Sequence, residues 1–325
     1  MVILVTGGAG FLGRHLVNLL LSQGHEVIVL DSMWTGSMDN ITFYDDHKKF
    51  RFVEGDVREP LPHFEGVEQI YHLACPASPD HFETSPVEIL ETCYRGTKNV
   101  LDYALERNAR VLIASTSEVY GDPEVDCQAE SYRGNVNCFG PRSCYDEGKR
   151  AAEALAFAYQ NSHGLEVRVA RIFNAYGPHM TVSDGRAVPN FISAAIEDSR
   201  IVIYGDGSAT RCFQFATDCV SGLKLLMESD VTEPVNIGSD NEMPVGQMAG
   251  IVADLVARKL GKAKRVPIVF LPRRTDDPMR RKPDIGLAKR TLGWQPVVEL
   301  EEGVGRTVDW FLERAEGKKS EIAKL

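Results

Sequence analysis

The chain has 325 residues, of which 43% are hydrophobic and 25% charged, and its formal net charge is −10 at pH 7. This composition is typical of a globular protein. The acidic balance argues against a nucleic-acid partner, because no excess of basic side chains is available to neutralise phosphates.

The seven cysteines are odd in number and scattered, with neither CxxC nor Cys/His spacing. The sequence therefore predicts no metal site and favours reduced thiols in a cytoplasmic protein. No apolar run has the length that crosses a bilayer. Because a strand-like run begins at Val2, we also expect neither a signal peptide nor a membrane partner.

Short apolar runs alternate with amphipathic stretches along the first half of the chain. This alternation predicts an α/β fold with a doubly wound parallel sheet of the Rossmann type. The predicted strands are Val2–Thr6, Glu26–Leu30, Phe50–Val53, Gln69–His72, Arg110–Ala114 and Glu166–Arg171. The predicted helices are Phe11–Gln23, Pro86–Arg107 and Tyr145–Ser162.

Beyond Asn174, proline, glycine and aromatic residues interrupt shorter elements, which predicts a smaller C-terminal α/β lobe that binds substrate. We therefore place a Rossmann domain at 1–174 and assign 175–325 mainly to the second lobe. A return to the first sheet is expected near 215–240. There, Thr217–Met227 and Val235–Ile237 have the patterns of a helix and a strand.

A glycine-rich turn joins the first predicted strand to the first predicted helix. Its GxxGxxG spacing places Gly7, Gly10 and Gly13 around the helix start. Phe11 and Leu12 lie between the second and the third glycine. Glycines here allow a tight turn and let backbone N–H groups approach a pyrophosphate at the helix N-terminus. The context predicts a dinucleotide site formed by these five residues.

Asp31 ends the second predicted strand, where a carboxylate accepts hydrogen bonds from ribose hydroxyls and repels a 2′-phosphate. NAD is therefore the expected cofactor rather than NADP. The alternative is that Asp31 only caps the strand end. Arg14 and Arg51 have no assigned role at this stage and leave a phosphate contact open.

Two further segments follow predicted strands in the order that a bound dinucleotide requires. Asp56 and Val57 follow the third strand, where a carboxylate can reach the adenine amino group. Leu73 and Ala74 follow the fourth strand, where small residues let the backbone approach the cofactor.

Tyr145 and Lys149 stand four residues apart at the start of the long predicted helix, so their side chains share one face. A tyrosine pKa near 10 makes a poor base at neutral pH. We expect the Lys149 ammonium, together with the positive nicotinamide, to lower the pKa of Tyr145. The same lysine can bind the nicotinamide ribose. The alternative is a solvated lysine beside a packed tyrosine.

Thr116, Ser117 and Glu118 follow the fifth predicted strand, at the edge where such sheets bind ligands. We expect Thr116 and Glu118 to project into the cleft near Tyr145. A Ser/Thr-rich strand end can also be only a helix cap.

Several longer strings resemble the extended short-chain dehydrogenase/reductase superfamily and, within it, the UDP-glucuronate decarboxylases. They are Ser115–Pro123 (STSEVYGDP), Gly140–Arg150 (GPRSCYDEGKR), Ala170–Asn174, Tyr204–Ser208 with Thr210 and Arg211, Asp276–Pro278, Arg281–Ile285 (RKPDI) and Leu292–Trp294. The resemblance implies NAD-dependent conversion of UDP-glucuronate to UDP-xylose and CO₂ through a UDP-4-keto sugar, with NAD⁺ regenerated.

The resemblance also implies a role for each site residue. Tyr145, steadied by Lys149, takes the proton of the sugar C4 hydroxyl, and Thr116 hydrogen-bonds the C4 oxygen. Glu118 and Arg281 orient the carboxylate or the water that protonates C5. The implied UDP-sugar contacts are Ser117, Asn174, Arg186, Val188, Asn190, Tyr204, Arg211 and Arg281.

Related reactions remain as alternatives: nucleotide-sugar epimerisation, 4,6-dehydration or UDP-apiose/xylose synthesis. The resembling dehydratases have an Asp–Glu pair at the strand end, whereas Ser117 stands at the Asp position here. The epimerases generally lack the Glu118 equivalent. A non-catalytic, NAD-sensing binding protein is the alternative of another class, although such proteins usually lose Tyr or Lys of the pair.

The chain departs from the family pattern at several positions. The family usually has Asn at Cys93, Trp at Arg133, Pro at Cys138, Arg at His179 and Ser at Pro189. We expect Cys93 near the cofactor and the other four on loops facing the sugar or uridine. The family also implies a homodimer, joined through the apolar faces of Pro86–Arg107 and Tyr145–Ser162.

Overall fold

The computed structural model describes residues 1–181, 185–273 and 277–322, the last six of these as backbone only. Its strands are, in chain order, β1 (Val2–Thr6), β2 (Glu26–Asp31), β3 (Phe50–Glu54), β4 (Val67–His72), β5 (Arg110–Thr116), β6 (Val167–Ile172), β7 (Ala175–Tyr176), β8 (Ile201–Tyr204), β9 (Thr210–Cys212), β10 (Gln214–Phe215), β11 (Val235–Ile237), β12 (Glu242–Pro244), β13 (Ile268–Leu271) and β14 (Arg280–Arg281).

The helices are α1 (Phe11–Ser22), α2 (Pro79–Thr84), α3 (Pro86–Glu91), α4 (Thr97–Arg107), α5 (Ser143–His163), α6 (Ala187–Ile196), α7 (Ala216–Glu228), α8 (Val245–Lys259), α9 (Gly286–Leu292) and α10 (Leu300–Ile322). In the described part of the chain no helix is long and apolar enough to cross a membrane.

Seven parallel strands form the large sheet, in the order β11-β6-β5-β4-β1-β2-β3. The order reverses between β1 and β4, and a crevice opens at such a point beyond the carboxyl ends of the strands. The predicted Rossmann sheet is confirmed, including the return of Val235–Ile237 to its edge beside β6. The predicted domain division at residue 174 stays a prediction.

Helices cover both faces of this sheet, because its strands are apolar on both sides. One face packs against α1 and α7 and the other against α4 and α5. The predicted helix over Pro86–Arg107 is correct in extent, but a π-helical turn at Thr92–Gly96 separates α3 from α4. Apolar periodicity alone does not reveal such a turn, because the apolar face continues through it.

A second apolar core lies among α6, α8 and α10, with Phe191, Val252 and Val308 fully or almost fully buried. The strand pair β8–β13 and the three-stranded sheet β12-β9-β14 complete this region. The strand β14 pairs with β9 through Arg280 and Arg281, which fixes the direction of both side chains.

A buried hydrogen-bond network joins the large sheet to the segments that lead into β14. Asn236 of β11 accepts a hydrogen bond from the Tyr120 hydroxyl (2.8 Å) and donates to the carbonyls of Gln128 (2.9 Å) and Asp284 (3.0 Å). Gln128 in turn exchanges two hydrogen bonds with Lys282. Because Asn236 is fully buried, water cannot take over its hydrogen bonds if the side chain is removed.

We expect Asn236→Ala to lower the free energy of unfolding by about 2–4 kcal/mol, because three buried polar groups lose their partner. Urea denaturation followed by circular dichroism measures the change. The control is Asn241→Ala at an exposed position, expected to change stability by less than about 0.5 kcal/mol. Equal effects of the two substitutions would contradict a structural role for the network.

Candidate active site

A single cavity of about 1400 Å³ runs along the carboxyl edge of the large sheet and continues between the sheet and the second core. Every residue predicted for the site contributes to its lining. On the sheet side these are Gly7, Gly10, Phe11, Leu12, Gly13, Asp31, Asp56, Val57, Leu73, Ala74, Thr116, Ser117, Glu118, Tyr145 and Lys149. On the opposite side they are Asn174, Arg186, Val188, Asn190, Tyr204, Arg211 and Arg281.

The glycine-rich turn has the geometry that a dinucleotide requires. Gly7 has φ +76°, and a Cβ there would lie 2.7 Å from the Ala74 nitrogen, so a side chain is excluded. A Cβ on Gly13 would lie 2.6 Å from the Gly8 Cα. Gly10 caps α1 without a side-chain hydrogen bond, which leaves the helix N–H groups facing the cavity. The turn therefore fits a pyrophosphate.

Asp31 is buried at the end of β2. Its carboxylate accepts hydrogen bonds from the backbone N–H groups of Ala9 (3.0 Å) and Met33 (2.9 Å). Burial raises the pKa of Asp31, and the two backbone donors oppose that shift. Each carboxylate oxygen retains a second acceptor position for a ribose hydroxyl. The strand-end cap and the cofactor contact are therefore compatible.

The two arginines without a sequence-based role pack elsewhere. Arg14 lies over the rings of Phe43 and Tyr44 and donates to the Asn40 carbonyl (3.2 Å). Arg51 lies over the Phe64 ring. Neither belongs to the lining of the cavity in the described structure. The ribose side of the site therefore presents Asp31, which favours NAD over NADP.

Asp56 forms an ion pair with Arg58 at 2.6 Å (Oδ2 to Nη2). The hydrogen bond from Arg58 lowers the pKa of Asp56, so its carboxylate is charged at neutral pH. Val57 packs against Gly96 in the π-helical turn, where a Cβ would come within 2.8 Å of its methyl group.

Tyr145 and Lys149 lie on the same face of α5, as predicted. Tyr145 stacks on Phe82 with ring centroids 4.9 Å apart, and Lys149 Nζ lies 5.8 Å from the Tyr145 ring centroid. The ammonium donates to the Ala114 carbonyl at the end of β5 (2.9 Å). This hydrogen bond holds the Lys149 ammonium close to the Tyr145 ring and at the wall of the cavity.

Lys149 acts on the pKa of Tyr145 in the expected direction, but without the nicotinamide its charge does not offset burial. Burial raises the pKa of Tyr145 well above its ordinary value, and the Lys149 charge and a hydrogen bond with Thr116 only partly oppose it. Burial also acts against the charge of Lys149, but the neighbouring Cys75, Cys93 and Tyr145 raise its pKa overall. An additional positive charge in the cavity is therefore required to favour the phenolate.

Glu118 lies between two guanidinium groups at the end of β5. Arg142 donates to Glu118 Oε2 at 2.7 Å, and Arg281 makes a short contact with Oε1. Burial would raise the pKa of Glu118, but Arg281 and Arg142 lower it to about 2. Glu118 is therefore a permanent carboxylate at neutral pH. Arg281 also donates to the Gly121 carbonyl (3.0 Å).

Arg142 and Asp146 are parts of this cluster that sequence reasoning missed. Arg142 caps the N-terminus of α5, where a positive charge opposes the helix dipole, so its ion pairs must supply the compensation. Its Nε lies 3.5 Å from Asp146 Oδ2. Burial and the nearby Glu118 raise the pKa of Asp146 to about 7. Both residues lie inside the GPRSCYDEGKR string, which was the available signal.

The far side of the cavity carries the residues expected to bind the UDP moiety. Arg211, in β9, pairs with Asp277 at 3.2 Å (Nη2 to Oδ1), and its neighbour in β14 is Arg281. Arg186 caps α6, and Tyr204 ends β8 with 43% of its surface exposed. These elements place cationic and aromatic groups around one end of the cavity.

The departures from the family pattern divide into two groups. His179 and Pro189 line the cavity, as expected, but Pro189 lies in α6 and not on a loop. Arg133 and Cys138 are exposed and lie outside the lining in the described structure, so their expected position against the sugar is wrong. Their loop follows Tyr120, and its bridge between Gly121 and Asn135 turns it to the surface. Cys93 is buried and contacts Cys75, which lines the cavity.

The chain is similar to known proteins over almost its whole length. Residues 4–307 match the family model of GDP-mannose 4,6 dehydratase. UDP-glucuronic acid decarboxylase 1 of Danio rerio is 50% identical over 95% of the chain and 72% of the relative. UDP-glucuronic acid decarboxylase 6 of Arabidopsis thaliana is 50% identical over 94% of the chain and 87% of the relative.

A solved structure shares the fold and was determined with NAD bound. It is the dTDP-glucose 4,6-dehydratase DesIV of Streptomyces venezuelae, with a TM-score of 0.88 and 32% identity. The match covers 96% of this chain and 97% of that one. Among the described residues, no group of three or more His, Cys, Asp or Glu side chains is arranged to bind a metal ion.

The raised pKa of Asp146 has a consequence for stability. The folded protein favours its protonated form, so its contribution to stability decreases as pH rises from the ordinary value of 3.8 through about 7. An amide does not titrate. We therefore expect Asp146→Asn to become progressively more stable relative to the parent across this range, measured by urea denaturation at several pH values.

The matched control is Glu147→Gln on the next residue of α5, whose side chain is 36% exposed. Its stability relative to the parent is expected to stay nearly constant over the same pH range. A constant difference for Asp146→Asn as well would contradict the burial of a protonated carboxyl at this position.

Proposed function

The chain belongs to the extended short-chain dehydrogenase/reductase family that the GDP-mannose 4,6 dehydratase model describes, and from that membership we propose its reaction. It decarboxylates UDP-glucuronate to UDP-xylose and CO₂ in an NAD-dependent cycle. The carrying observation is the Glu118 carboxylate between Arg281 and Arg142, next to Ser117 and across from Tyr145. The names of the relatives at about 50% identity agree with this reaction.

NAD⁺, when bound, accepts the C4 hydride of the sugar and returns it at the end of the cycle, so that no net oxidation occurs. The glycine-rich turn binds its pyrophosphate through the free N–H groups at the start of α1. Asp31 binds the adenosine ribose. Lys149 binds the second ribose while it donates to the Ala114 carbonyl.

Tyr145 takes the proton of the C4 hydroxyl and later returns it. The positive charge that its buried phenolate requires comes from Lys149 and the oxidised cofactor together, since Lys149 alone does not offset burial. Thr116, within hydrogen-bonding distance of Tyr145, donates to the C4 oxygen. That bond stabilises the charge that develops on this oxygen when the C5 carboxylate leaves as CO₂.

Ser117 and Glu118, at the end of β5, fit decarboxylation better than dehydration. Expulsion of water requires a proton donor, but position 117 is a serine and Glu118 stays ionised because two guanidinium groups hold its pKa at about 2. Release of CO₂ requires no proton on the leaving group. Glu118 instead orients Arg281, which is 2% exposed, donates to the Gly121 carbonyl and lines the cavity.

The UDP moiety binds at the other end of the cavity. Arg211 is the principal cation proposed for the diphosphate, because it lines the cavity and its guanidinium is held in place by Asp277. Tyr204 offers an exposed ring for the uracil. Asn174, Arg186, Val188 and Asn190 line the cavity between these groups and the sugar position.

We expect Tyr145→Phe to reduce formation of UDP-xylose by about 10²–10⁴-fold, because the proton acceptor is removed while the ring stays packed on Phe82. Mass spectrometry of the products from UDP-glucuronate and NAD⁺ measures the effect, and NAD binding is expected to remain. The control is Tyr159→Phe on the same helix. Turnover of Tyr145→Phe equal to that of the control would overturn the assignment, and absence of UDP-xylose with the parent would overturn the function.

We also propose a homodimer. Large apolar side chains are exposed on α3, α5 and the π-helical turn, where a globular chain needs a partner to cover them: Val87 (66%), Leu90 (44%), Tyr94 (50%) and Phe157 (69%). Pairing of these helices with their copies would bury them. A cytoplasmic location stays part of the proposal and is supported by the seven unpaired thiols.

Phe157→Glu is expected to shift the sedimentation coefficient from that of a dimer to that of a monomer, because a charge would be buried in the interface. Phe139→Glu is the control, since Phe139 is 97% exposed and lies on the loop before α5, outside the helices themselves. A monomeric parent, or equal dissociation of both variants, would overturn the proposed interface.

A further inference from the structure

Two cysteines meet beside the Tyr145–Lys149 pair. Cys75 follows β4 and lines the cavity, and Cys93 lies in the π-helical turn between α3 and α4. Their sulfur atoms are 3.4 Å apart, although 18 residues separate them in the sequence. Neither thiol has a part in the reaction described above.

Packing fixes this pair in place. Cys93 is 1% exposed, and a Cβ added to Gly148 of α5 would lie 2.9 Å from its Cβ and 3.1 Å from its sulfur. Cys93 is therefore tightly packed between α5 and Cys75. Cys75 is partly exposed towards the cavity and also lies within reach of the Pro76 carbonyl (3.5 Å). Together with Phe82, Ile89, Cys144 and Tyr145, the two cysteines form one packed cluster.

The surroundings make the two thiols unequal. The hydrogen bond between the two sulfurs lowers the pKa of Cys75 to about 7 against the effect of burial, and the Lys149 charge acts in the same direction. The pKa of Cys93 is raised by the same hydrogen bond and by burial. Cys75 is thus the nucleophilic thiol, exposed to the cavity, and Cys93 is the buried thiol that can react with it next.

We propose that Cys75 and Cys93 form an oxidation site that closes to a disulfide and reversibly stops turnover at the adjacent active site. The disulfide itself is independent of the reaction catalysed. Its effect on turnover rests on the proposed function.

Hydrogen peroxide is the oxidant in this proposal, and the chemistry has two steps. The Cys75 thiolate attacks one peroxide oxygen, the O–O bond breaks, and hydroxide leaves to give a sulfenic acid. The Cys93 sulfur then attacks the Cys75 sulfur, the S–O bond breaks, and hydroxide leaves with the Cys93 proton as water. Two thiols are oxidised, one peroxide is reduced, and two waters form.

The bond would disturb the active site for a geometric reason. A disulfide has a sulfur–sulfur distance of about 2.05 Å, so the two sulfurs must approach from 3.4 Å. Cys93 is wedged against α5, so Cys75 must move, and Leu73 and Ala74 of the cofactor site precede it directly. Displacements of about 1 Å in such sites reduce rates by as much as 10²-fold.

The test compares the reduced and peroxide-treated chain. We expect seven titratable thiols to become five, a peptide cross-link between Cys75 and Cys93 in the mass spectrum, and at least a tenfold loss of UDP-xylose formation, on the order of that displacement effect. Dithiothreitol is expected to restore activity. A reduced chain that makes no UDP-xylose would contradict the proposed function. In that case the thiol count and the cross-link would still show whether the disulfide forms.

Two variants separate the pair from the other thiols. In Cys93→Ser, peroxide is expected to leave Cys75 as a sulfenic acid that a dimedone-type probe labels, whereas the parent is not labelled. Cys138→Ser, at an exposed position, is the matched control and is expected to form the cross-link like the parent. A cross-link to Cys144, no cross-link at all, or full turnover by the cross-linked chain would overturn the proposal. If Cys93→Ser fails to fold, Cys75→Ser gives the same test, with no cross-link and no label expected.

Discussion

The site depends on one carboxylate that two guanidinium groups share. Glu118 lies in the 3₁₀ turn (Ser117–Tyr120) that follows β5, Arg142 caps α5, and Arg281 belongs to β14, much later in the chain. Their contacts join the end of β5 in the large sheet, the helix that carries Tyr145, and the strand β14. Such a cluster requires full pairing, because a buried charge without its partner is strongly destabilising.

Burial acts on every ionisable group around this cluster, and the local charges decide the outcome for each one. Glu118 has two adjacent cations and stays ionised, whereas Asp146, one turn along α5, faces Glu118 and retains its proton to about pH 7. Tyr145 has one nearby cation, which is insufficient to offset burial. The site therefore combines a fixed carboxylate with a phenol whose ionisation requires the charge of a bound cofactor. In the proposed reaction, binding of the oxidised cofactor and activation of Tyr145 as the base are therefore coupled.

Much of the fold and the cofactor half of the site could be predicted from the sequence, because they depend on local patterns. Val2–Thr6 and the glycines after it specify a strand, a turn and a helix within a few residues of one another. Arg142, Asp146 and the Cys75–Cys93 contact depend on tertiary packing and carry no local pattern of their own. The effect of Lys149 on the Tyr145 pKa has the expected direction, but the rise caused by burial could not be predicted, because proximity along a helix gives the charge and not the burial that opposes it. Arg133 and Cys138 were misplaced because a resemblance aligns loops without giving their direction.

The proposed reaction removes the carboxyl group of the sugar, whereas epimerisation retains it. The most direct measurement uses UDP-glucuronate labelled with a heavy isotope at the carboxyl carbon, incubated with the chain and NAD⁺ and followed by NMR. We expect the label to appear in CO₂ and bicarbonate while an unlabelled UDP-pentose accumulates. Label that stays in a UDP-hexuronate, with its C4 or C5 configuration changed, would contradict decarboxylation and indicate an epimerase.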